Sequence, residues 1–238
     1  MRKSSDLDPH AVFIDLDDTL SDELHHVRSV YAAALSGLPE PLGPGVAGAV
    51  LDAYMDIGID LYRRNAWDEL SREARVSAAL RRVGVEPGNL PARIVHGYQQ
   101  NYQEGLRLLT GADRLLEVAG RFRTCLVTNG QSDRQRAKIE RLGLARHFEH
   151  VLISAEVGSV KPAAAIFQRA LSLTEVEPHQ AVMIGDNALA DITGAANLGI
   201  HTIWVNLHGW PLPPAAATPD YEVPDVAAAA DRLESLFG

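Results

Sequence analysis

The sequence predicts an α/β fold: a Rossmann-like three-layer core with a mostly parallel sheet, plus an inserted all-helical cap domain. Short apolar runs alternate with helical segments in the second half of the chain, which is typical of a parallel sheet covered on both faces. A long stretch after the first apolar run shows helical spacing and no strand-like run. The predicted domains are therefore a core of residues 1–20 and 108–238 and a cap of residues 21–107.

The first predicted strand, residues 12–16, is apolar until it reaches a run of acids. It must join the sheet formed by the later strands, because its backbone groups have no other partners. The later strands are predicted at residues 123–127, 150–153, 181–184, 201–205 and, as a short extended piece, 221–223. The helices between and after them are predicted at residues 113–120, 132–142, 162–171, 188–198 and 226–236. The alternation of strands and helices implies right-handed crossovers and a parallel sheet.

The predicted cap contains four helices, each marked by apolar residues three or four positions apart. They cover residues 22–36, 46–61, 70–83 and 91–102, and Pro91 suits the first turn of the last one. A segment rich in proline and glycine separates the first two helices. This block is therefore expected to fold as a helical bundle.

The composition is that of an ordinary globular protein. The 238 residues suit one domain, or a core with an insertion, and hydrophobic residues make up 46% of them. Lys plus Arg at 22 against Asp plus Glu at 31 gives a net charge of −9, which argues against binding a nucleic acid polymer or an acidic membrane. A small anionic substrate remains compatible, because a metal and local donors can reverse the field inside one cleft.

The single cysteine, Cys125, cannot form an internal disulfide and lies in an apolar run, so a buried, inert thiol is expected. Residues 1–10 lack the apolar core of a signal peptide, and no run approaches the length of a membrane span. The expected compartment is the cytoplasm, and the expected assembly is a monomer or homodimer.

Small polar clusters follow three of the predicted core strands. Three acids within four residues follow the first strand, and their mutual repulsion favours a site that holds a cation. Because the carboxyl ends of parallel strands meet at one edge of the sheet, all the clusters are expected to lie together. They comprise Asp15, Asp17 and Asp18; Thr128 and Asn129; Asp186, Asn187 and Asp191; with Lys161 just before a predicted helix. Carboxylates suit Mg²⁺, and amides, a hydroxyl and an ammonium group suit phosphate.

Four ordered segments resemble the motifs of the haloacid dehalogenase (HAD) superfamily. They are Asp15-Leu16-Asp17-Asp18-Thr19, Thr128-Asn129-Gly130, Lys161-Pro162, and Gly185-Asp186-Asn187 with Asp191. The match spans almost the whole chain, since the helical insertion resembles that superfamily's C1 cap. The runs 128–167 and 185–205 look particularly like its nucleotidase-like, small-metabolite phosphatases.

The resemblance implies a role for each matching residue. Asp15 would be the nucleophile that becomes an aspartyl phosphate, and Asp17 the general acid that protonates the leaving oxygen and then acts as base. Mg²⁺ would be held by Asp15, the Asp17 carbonyl and Asp186. The transferring phosphoryl oxygens would be bound by Thr128 with the Asn129 amide.

Further roles follow for the remaining residues of these motifs. Lys161 would neutralise Asp15 and phosphate together. Asp191 would orient Lys161 or a metal-bound water. Asn187 would support the residues that bind the metal, or it would cap a helix. Structural roles are expected for Asp18 and Thr19, which would fix the turn and cap the next helix. Residues 132–135 match a capping box, so Ser132 is expected to open a helix.

Substrate specificity is expected to come from the cap. In the superfamily this domain closes over the cleft and selects the leaving group. The cap's polar-aromatic segment contains Arg63, Arg64 and Trp67, which could contact a base, a sugar or a second anionic group. The alternative is a solvated helix end with Trp67 packed inside the cap.

The function expected from these residues is Mg²⁺-dependent hydrolysis of a small phosphorylated metabolite, either a nucleoside monophosphate or a sugar phosphate. A 2-haloacid dehalogenase-type hydrolase is the enzymatic alternative, and Asp17 argues against it because carbon–halogen displacement needs no leaving-group acid. Phosphoryl transfer to a second metabolite stays open. A non-catalytic, phospholigand-sensing member of the superfamily is a further alternative, and the intact set Asp15, Asp17, Lys161 and Asp186 argues against that.

Overall fold

The computed structural model describes residues 10–102 and 104–236. The chain divides into two compact units, one formed by the chain up to Asp22 together with the chain from Arg107 onward, and the other by Glu23–Leu106. The opening residues 1–9, which bear on the signal-peptide prediction, lie outside the described residues.

The first unit contains a six-stranded sheet in the order β3-β2-β1-β4-β5-β6. Each pair of neighbouring strands is parallel, so the predicted parallel sheet is confirmed. The strands are β1 (Ala11–Ile14), β2 (Arg123–Thr128), β3 (His150–Ile153), β4 (Ala181–Gly185), β5 (His201–Val205) and β6 (Tyr221–Val223).

Ten α-helices are found in the described part of the chain. The helical unit contains α1 (Glu23–Ser36), α2 (Val46–Arg63), α3 (Arg72–Arg82) and α4 (Leu90–Asn101). The unit with the sheet contains α5 (Ala112–Ala119), α6 (Ser132–Arg141), α7 (Ser154–Val157), α8 (Ala164–Thr174), α9 (Thr193–Ala196) and α10 (Val226–Ser235). Among the described helices, none combines the length and the hydropathy that a membrane span requires.

Alternating side chains of β1 build the layers on both faces of the sheet. Val12 and Ile14 pack on one face among buried residues of α5, α6 and α10. Ala11 and Phe13 pack on the other face among buried residues of α8 and α9. All four β1 side chains are fully buried, so a one-residue slip would exchange the two faces and disrupt both cores. The predicted three-layer core is therefore confirmed.

The helical unit has a hydrophobic core of its own. The ring of Tyr31 stacks on that of Tyr98, with centroids 4.4 Å apart, and lies 4.1 Å from that of Tyr54. The Ser71 hydroxyl accepts a hydrogen bond from the Ala74 amide at 3.2 Å and so begins α3, as a good N-cap residue does. Pro91 lies in the first turn of α4, where its missing N–H costs nothing.

Local structure differs from the prediction in two loops near the carboxyl edge of the sheet. The helix predicted at residues 188–198 is a π-helical turn, Ala188–Ile192, followed by the short α9. Here the Asp191 carboxylate accepts from the Asn187 amide at 3.0 Å, which draws the turn back toward the end of β4. The helix predicted from residue 162 begins at Ala164, and the Lys161–Pro162 peptide bond before it is cis.

The order of the strands places the polar clusters. β1 lies in the middle of the sheet, and the chain leaves it on one side through β2 and β3 and later on the other through β4, β5 and β6. Ligands of open α/β sheets bind beyond the carboxyl ends of the strands at such a switch in direction. The residues just after β1, β2 and β4 therefore form the candidate site.

Candidate active site

Asp15 and Lys161 form a buried ion pair at the centre of this edge. Asp15 follows β1 directly, and its backbone amide donates to the Ile184 carbonyl of β4 at 3.0 Å. The Lys161 ammonium lies 2.5 Å from Oδ1 of Asp15 and 2.6 Å from Oδ1 of Asp191. It also donates to the Val127 carbonyl at 2.7 Å, which fixes the lysine side chain against β2.

The charges of this cluster are not balanced. Burial raises the pKa of Asp15 to about 7; Lys161 opposes that change, and the neighbouring Asp191 and Asp17 add to it. Burial alone would lower the pKa of Lys161, but its attraction to Asp15 and Asp191 raises it above the usual value. One ammonium group faces two buried carboxylates, so a further cation would be stabilised here.

The donor set fits a hard divalent cation. Oxygen atoms of Asp15, Asp186 and Asp191 all lie within 4.8 Å of one another. The buried Oδ1 of Asp191 has no well-aligned hydrogen bond, even though the Lys161 ammonium is 2.6 Å away. Carboxylate oxygens are the ligands that Mg²⁺ prefers. The site therefore has the charge and the oxygen donors for the ion expected from the sequence.

Thr128 and Asn129 lie at the end of β2 and connect to the lysine segment. The Asn129 side chain forms two hydrogen bonds with the Lys161 backbone, donating to its carbonyl at 3.1 Å and accepting from its amide at 2.8 Å. The buried Thr128 hydroxyl accepts from the Gln135 side chain at 2.6 Å. Asn129 therefore positions the residue that carries the buried ammonium group.

Asp17 lies two residues beyond Asp15 and its carboxylate turns toward α6. Its Oδ1 accepts from the Lys138 ammonium at 2.7 Å and from the Ser21 hydroxyl at 3.3 Å. Its Oδ2 accepts from the Gln135 side chain at 3.1 Å. Neither Gln135 nor Lys138 is predicted from the sequence to be part of the site. Their spacing of three positions, on a helix that follows the predicted phosphate loop (residues 128–130), was the available signal.

The capping-box prediction for α6 is wrong. Gln131 is the N-cap residue, and it makes no side-chain capping bond. The Ser132 hydroxyl donates to Glu156 at 2.5 Å, while the Gln135 side chain points into the site. The pattern failed because both side chains found stronger tertiary partners than the local backbone.

Thr19 also belongs to the site, so its predicted role as a helix cap is wrong. Its hydroxyl, fully buried, donates to Oδ1 of Asp186 at 3.2 Å, and α1 begins only at Glu23. Asp18 occupies a turn, where its backbone has a φ of 54°. Asn187 caps the π-helical turn, because its Oδ1 accepts from the amides of Leu189 and Ala190 at 3.0 and 2.9 Å.

Comparison with known proteins identifies the family. A family model described as haloacid dehalogenase-like hydrolase matches residues 9–199. The chain belongs to this family. It is 32% identical to a phosphoserine phosphatase of Thermus thermophilus, over 90% of this chain and 95% of the relative. It is 28% identical to the human N-acylneuraminate-9-phosphatase, over 95% of this chain and 94% of the relative.

Among solved structures, this HAD-like chain is similar to the HAD-hydrolase YfnB of Bacillus subtilis, which was determined bound to magnesium. The TM-score is 0.78 at 25% identity, covering 94% of this chain and 98% of YfnB. The fold and the family predicted from the sequence are confirmed. The protein is an enzyme, a hydrolase of the phosphatase type.

Two of the three specificity residues expected in the helical unit of this HAD-like hydrolase, Arg64 and Trp67, have partners within that unit. Arg64 pairs with Asp60 at 3.0 Å and with Glu69 at 3.1 Å. The Trp67 ring is 41% exposed and is covered on one side by the Arg75 guanidinium, 4.4 Å from the ring centroid. Arg63 is exposed at the end of α2. Their role in specificity stays a prediction.

Proposed function

We propose that this hydrolase is an Mg²⁺-dependent phosphomonoester hydrolase that acts on a small phosphorylated metabolite, either a nucleoside monophosphate or a sugar phosphate. The observation that carries the proposal is the buried Asp15–Lys161 pair with a second acid, Asp17, two residues beyond Asp15. A nucleophile, a fixed positive charge and a separate proton donor are the groups that phosphate ester hydrolysis requires.

The proposed reaction has two steps. A carboxylate oxygen of Asp15 attacks phosphorus, the bond from phosphorus to the ester oxygen breaks, and Asp17 gives its proton to the leaving oxygen. Water then attacks the phosphorus of the aspartyl phosphate, Asp17 takes a proton from that water, and Asp15 is released with inorganic phosphate. The proton that Asp17 gives in the first step is thereby replaced in the second.

Other residues of the site stabilise the transferred group. Lys161 compensates the negative charge of Asp15 and the phosphoryl group, and Thr128 donates its hydroxyl proton to a phosphoryl oxygen. When bound, Mg²⁺ would be held by Asp15, the Asp17 carbonyl and Asp186 and would offset the charge of two anions that approach each other. Asp191 keeps Lys161 oriented through their ion pair.

Two other functions compete with this proposal. A dehalogenase needs the nucleophile but no acid for a halide leaving group, so the presence of a second carboxylate, Asp17, two residues beyond Asp15 argues against that chemistry. A phospholigand sensor needs no nucleophile, so the Asp15–Lys161 pair argues against a purely binding role. The phosphatase relatives support the first proposal further.

The test is a hydrolysis screen with Mg²⁺ over nucleoside monophosphates, sugar phosphates, phosphoserine and N-acylneuraminate 9-phosphate. Phosphate release should require Mg²⁺ and should disappear in Asp15→Asn, which keeps the shape of the side chain and removes its charge. A wild-type chain that releases phosphate from none of these esters would refute the proposal. So would an Asp15→Asn variant with wild-type turnover.

A further inference from the structure

Helix α6 directs two polar side chains into the interior, Gln135 and Lys138. Gln135 is 2% exposed and Lys138 is 4% exposed. Burying an amide or an ammonium group is unfavourable unless it is hydrogen-bonded, and this face of a helix packed on a sheet is ordinarily apolar. The contacts of these two side chains therefore indicate what they do.

Gln135 connects the phosphate loop to the second acid. Its Nε2 donates to Oγ1 of Thr128 at 2.6 Å and to Oδ2 of Asp17 at 3.1 Å. A side-chain amide nitrogen carries two hydrogens, so one group serves both partners. Because Thr128 accepts this bond, its own hydroxyl proton points to another acceptor. It donates to the Asn129 carbonyl at 3.5 Å, a long hydrogen bond that a phosphoryl oxygen would replace.

Lys138 fixes the other oxygen of the same carboxylate. Its ammonium lies 2.7 Å from Oδ1 of Asp17, which also accepts from the Ser21 hydroxyl at 3.3 Å. With donors on both oxygens, the Asp17 side chain is held in one orientation. A charged donor makes this hydrogen bond stronger than a neutral one would be.

The phosphate loop leaves room for Gln135. A Cβ atom added to Gly130 would lie 3.0 Å from Cγ and Cδ of Gln135, closer than side-chain atoms normally approach. Gly130 also has a φ of 147°, a conformation that favours glycine. The absence of a side chain at Gly130 therefore leaves the space that the Gln135 side chain occupies beside the loop.

We propose that Gln135 and Lys138 are positioning residues that hold the Asp17 carboxylate and the Thr128 hydroxyl in a fixed relation to each other. Through them, one helix face aligns the acid–base group with a phosphoryl ligand. This inference rests on the proposed phosphatase reaction. The residues of α6 orient Asp17 and take no part in bond formation or proton transfer.

The two residues should differ in their kinetic effects. Lys138 acts on Asp17, so its removal should affect substrates whose leaving oxygen needs a proton. Gln135 also acts on Thr128, so its removal should weaken phosphoryl binding for every substrate. General acid catalysis contributes about 10²–10⁴-fold, and misplacing a catalytic group by about 1 Å can cost about 10²-fold.

The experiment compares kcat/KM for an alkyl phosphate with kcat/KM for p-nitrophenyl phosphate, whose leaving group needs little protonation. This parameter reports the step in which the leaving group departs, so slow hydrolysis of the aspartyl phosphate does not mask the effect. In Lys138→Met we expect a loss of about 30-fold for the alkyl ester and less than about threefold for the nitrophenyl ester. Arg141→Met, at an exposed position of the same helix, is the matched control.

A double-mutant cycle separates alignment from general damage. In an Asp17→Asn background, Lys138→Met should cause little further loss for the alkyl ester, because the two changes remove the same function. Gln135→Leu should raise KM for both esters and should add a kcat loss for the alkyl ester. Thermal unfolding of every variant confirms that it is folded under assay conditions.

Each outcome decides one question. Equal losses for both esters in Lys138→Met, or full additivity with Asp17→Asn, would overturn the positioning role while phosphatase activity stands. A wild-type enzyme inactive on both esters, or one indifferent to Asp15→Asn, would overturn the proposed function itself. A selective, non-additive loss supports the inference.

Discussion

The Lys161 ammonium lies 2.5 Å from an oxygen of Asp15, and both side chains are buried at the carboxyl end of the sheet. Asp191 approaches the same ammonium at 2.6 Å, so two carboxylates share one positive charge. This arrangement favours a bound cation, whose positive charge would offset the excess carboxylate. Without a cation, the two buried carboxylates repel each other.

Removing the shared ammonium should therefore destabilise the metal-free protein. Lys161→Met leaves Asp15 and Asp191 buried without a counter-charge, and breaking a buried pair in this way costs about 3–5 kcal/mol. The free energy of unfolding, measured by urea denaturation at pH 8 with a chelator, should fall by about that amount. Arg141→Met should change it by less than about 0.5 kcal/mol. An unchanged stability in Lys161→Met would contradict the proposed charge balance.

The raised pKa of Asp15 predicts a pH dependence with a definite sign. Its pKa is raised from 3.8 to about 7, so between these values the folded protein binds a proton that the unfolded chain does not. Lowering the pH through this window therefore favours folding, and the contribution of Asp15 is lost as the pH rises to about 7. Asp15→Asn should accordingly stabilise the metal-free protein at pH 8 and much less at pH 4.

Thermal unfolding of both proteins at several pH values, with a chelator present, measures this difference. Mg²⁺ added at pH 8 should raise the melting temperature of the wild type more than that of Asp15→Asn, because the ion needs the ionised carboxylate. The prediction would be contradicted if, without metal at pH 8, the wild type were more stable than Asp15→Asn.

Gly185 should tolerate no side chain, because Asp191 packs against it. A Cβ atom added there would lie 2.5 Å from Cγ of Asp191 and would displace the carboxylate from Lys161. Gly185→Ala should lower kcat/KM by about 10²-fold and stability by about 1–3 kcal/mol. Gly58→Ala is the control, since an added Cβ there meets nothing within 4 Å and alanine favours the helix. Wild-type activity in Gly185→Ala would show that Asp191 has room to move.

Much of the fold could be predicted from the sequence, because its signals are local. Most strands of the core are short, largely apolar runs, and polar clusters follow three of them, β1, β2 and β4. The residues at those ends, Asp15, Thr128 and Asp186, could be brought together by topology alone, since parallel strands share one carboxyl edge. Lys161 could be predicted to lie at the same edge of the sheet because it directly precedes a helix in the chain.

Tertiary orientation explains what the sequence did not reveal. Gln135 matched a local capping pattern, and only the packing of α6 on the sheet directs it to Asp17 and Thr128. Lys138 resembles any surface lysine of a polar helix until its burial is known. Thr19 has a hydroxyl that could serve a nearby backbone amide equally well, and its contact with Asp186 joins segments 167 residues apart.

The contact between Thr19 and Asp186 predicts an effect on metal affinity. The Thr19 hydroxyl donates to Oδ1 of Asp186 at 3.2 Å and is fully buried, so it fixes the orientation of a proposed Mg²⁺ ligand. Loss of such an outer hydrogen bond typically weakens metal binding about 10–100-fold. Thr19→Val keeps the shape and removes the donor, so the Mg²⁺ concentration for half-maximal activity should rise by at least about tenfold, and Mg²⁺ titration by calorimetry should show the same shift. Thr19→Ser retains the hydroxyl and should bind Mg²⁺ within about threefold of the wild type, whereas equal affinities for all three proteins would remove Thr19 from the metal site.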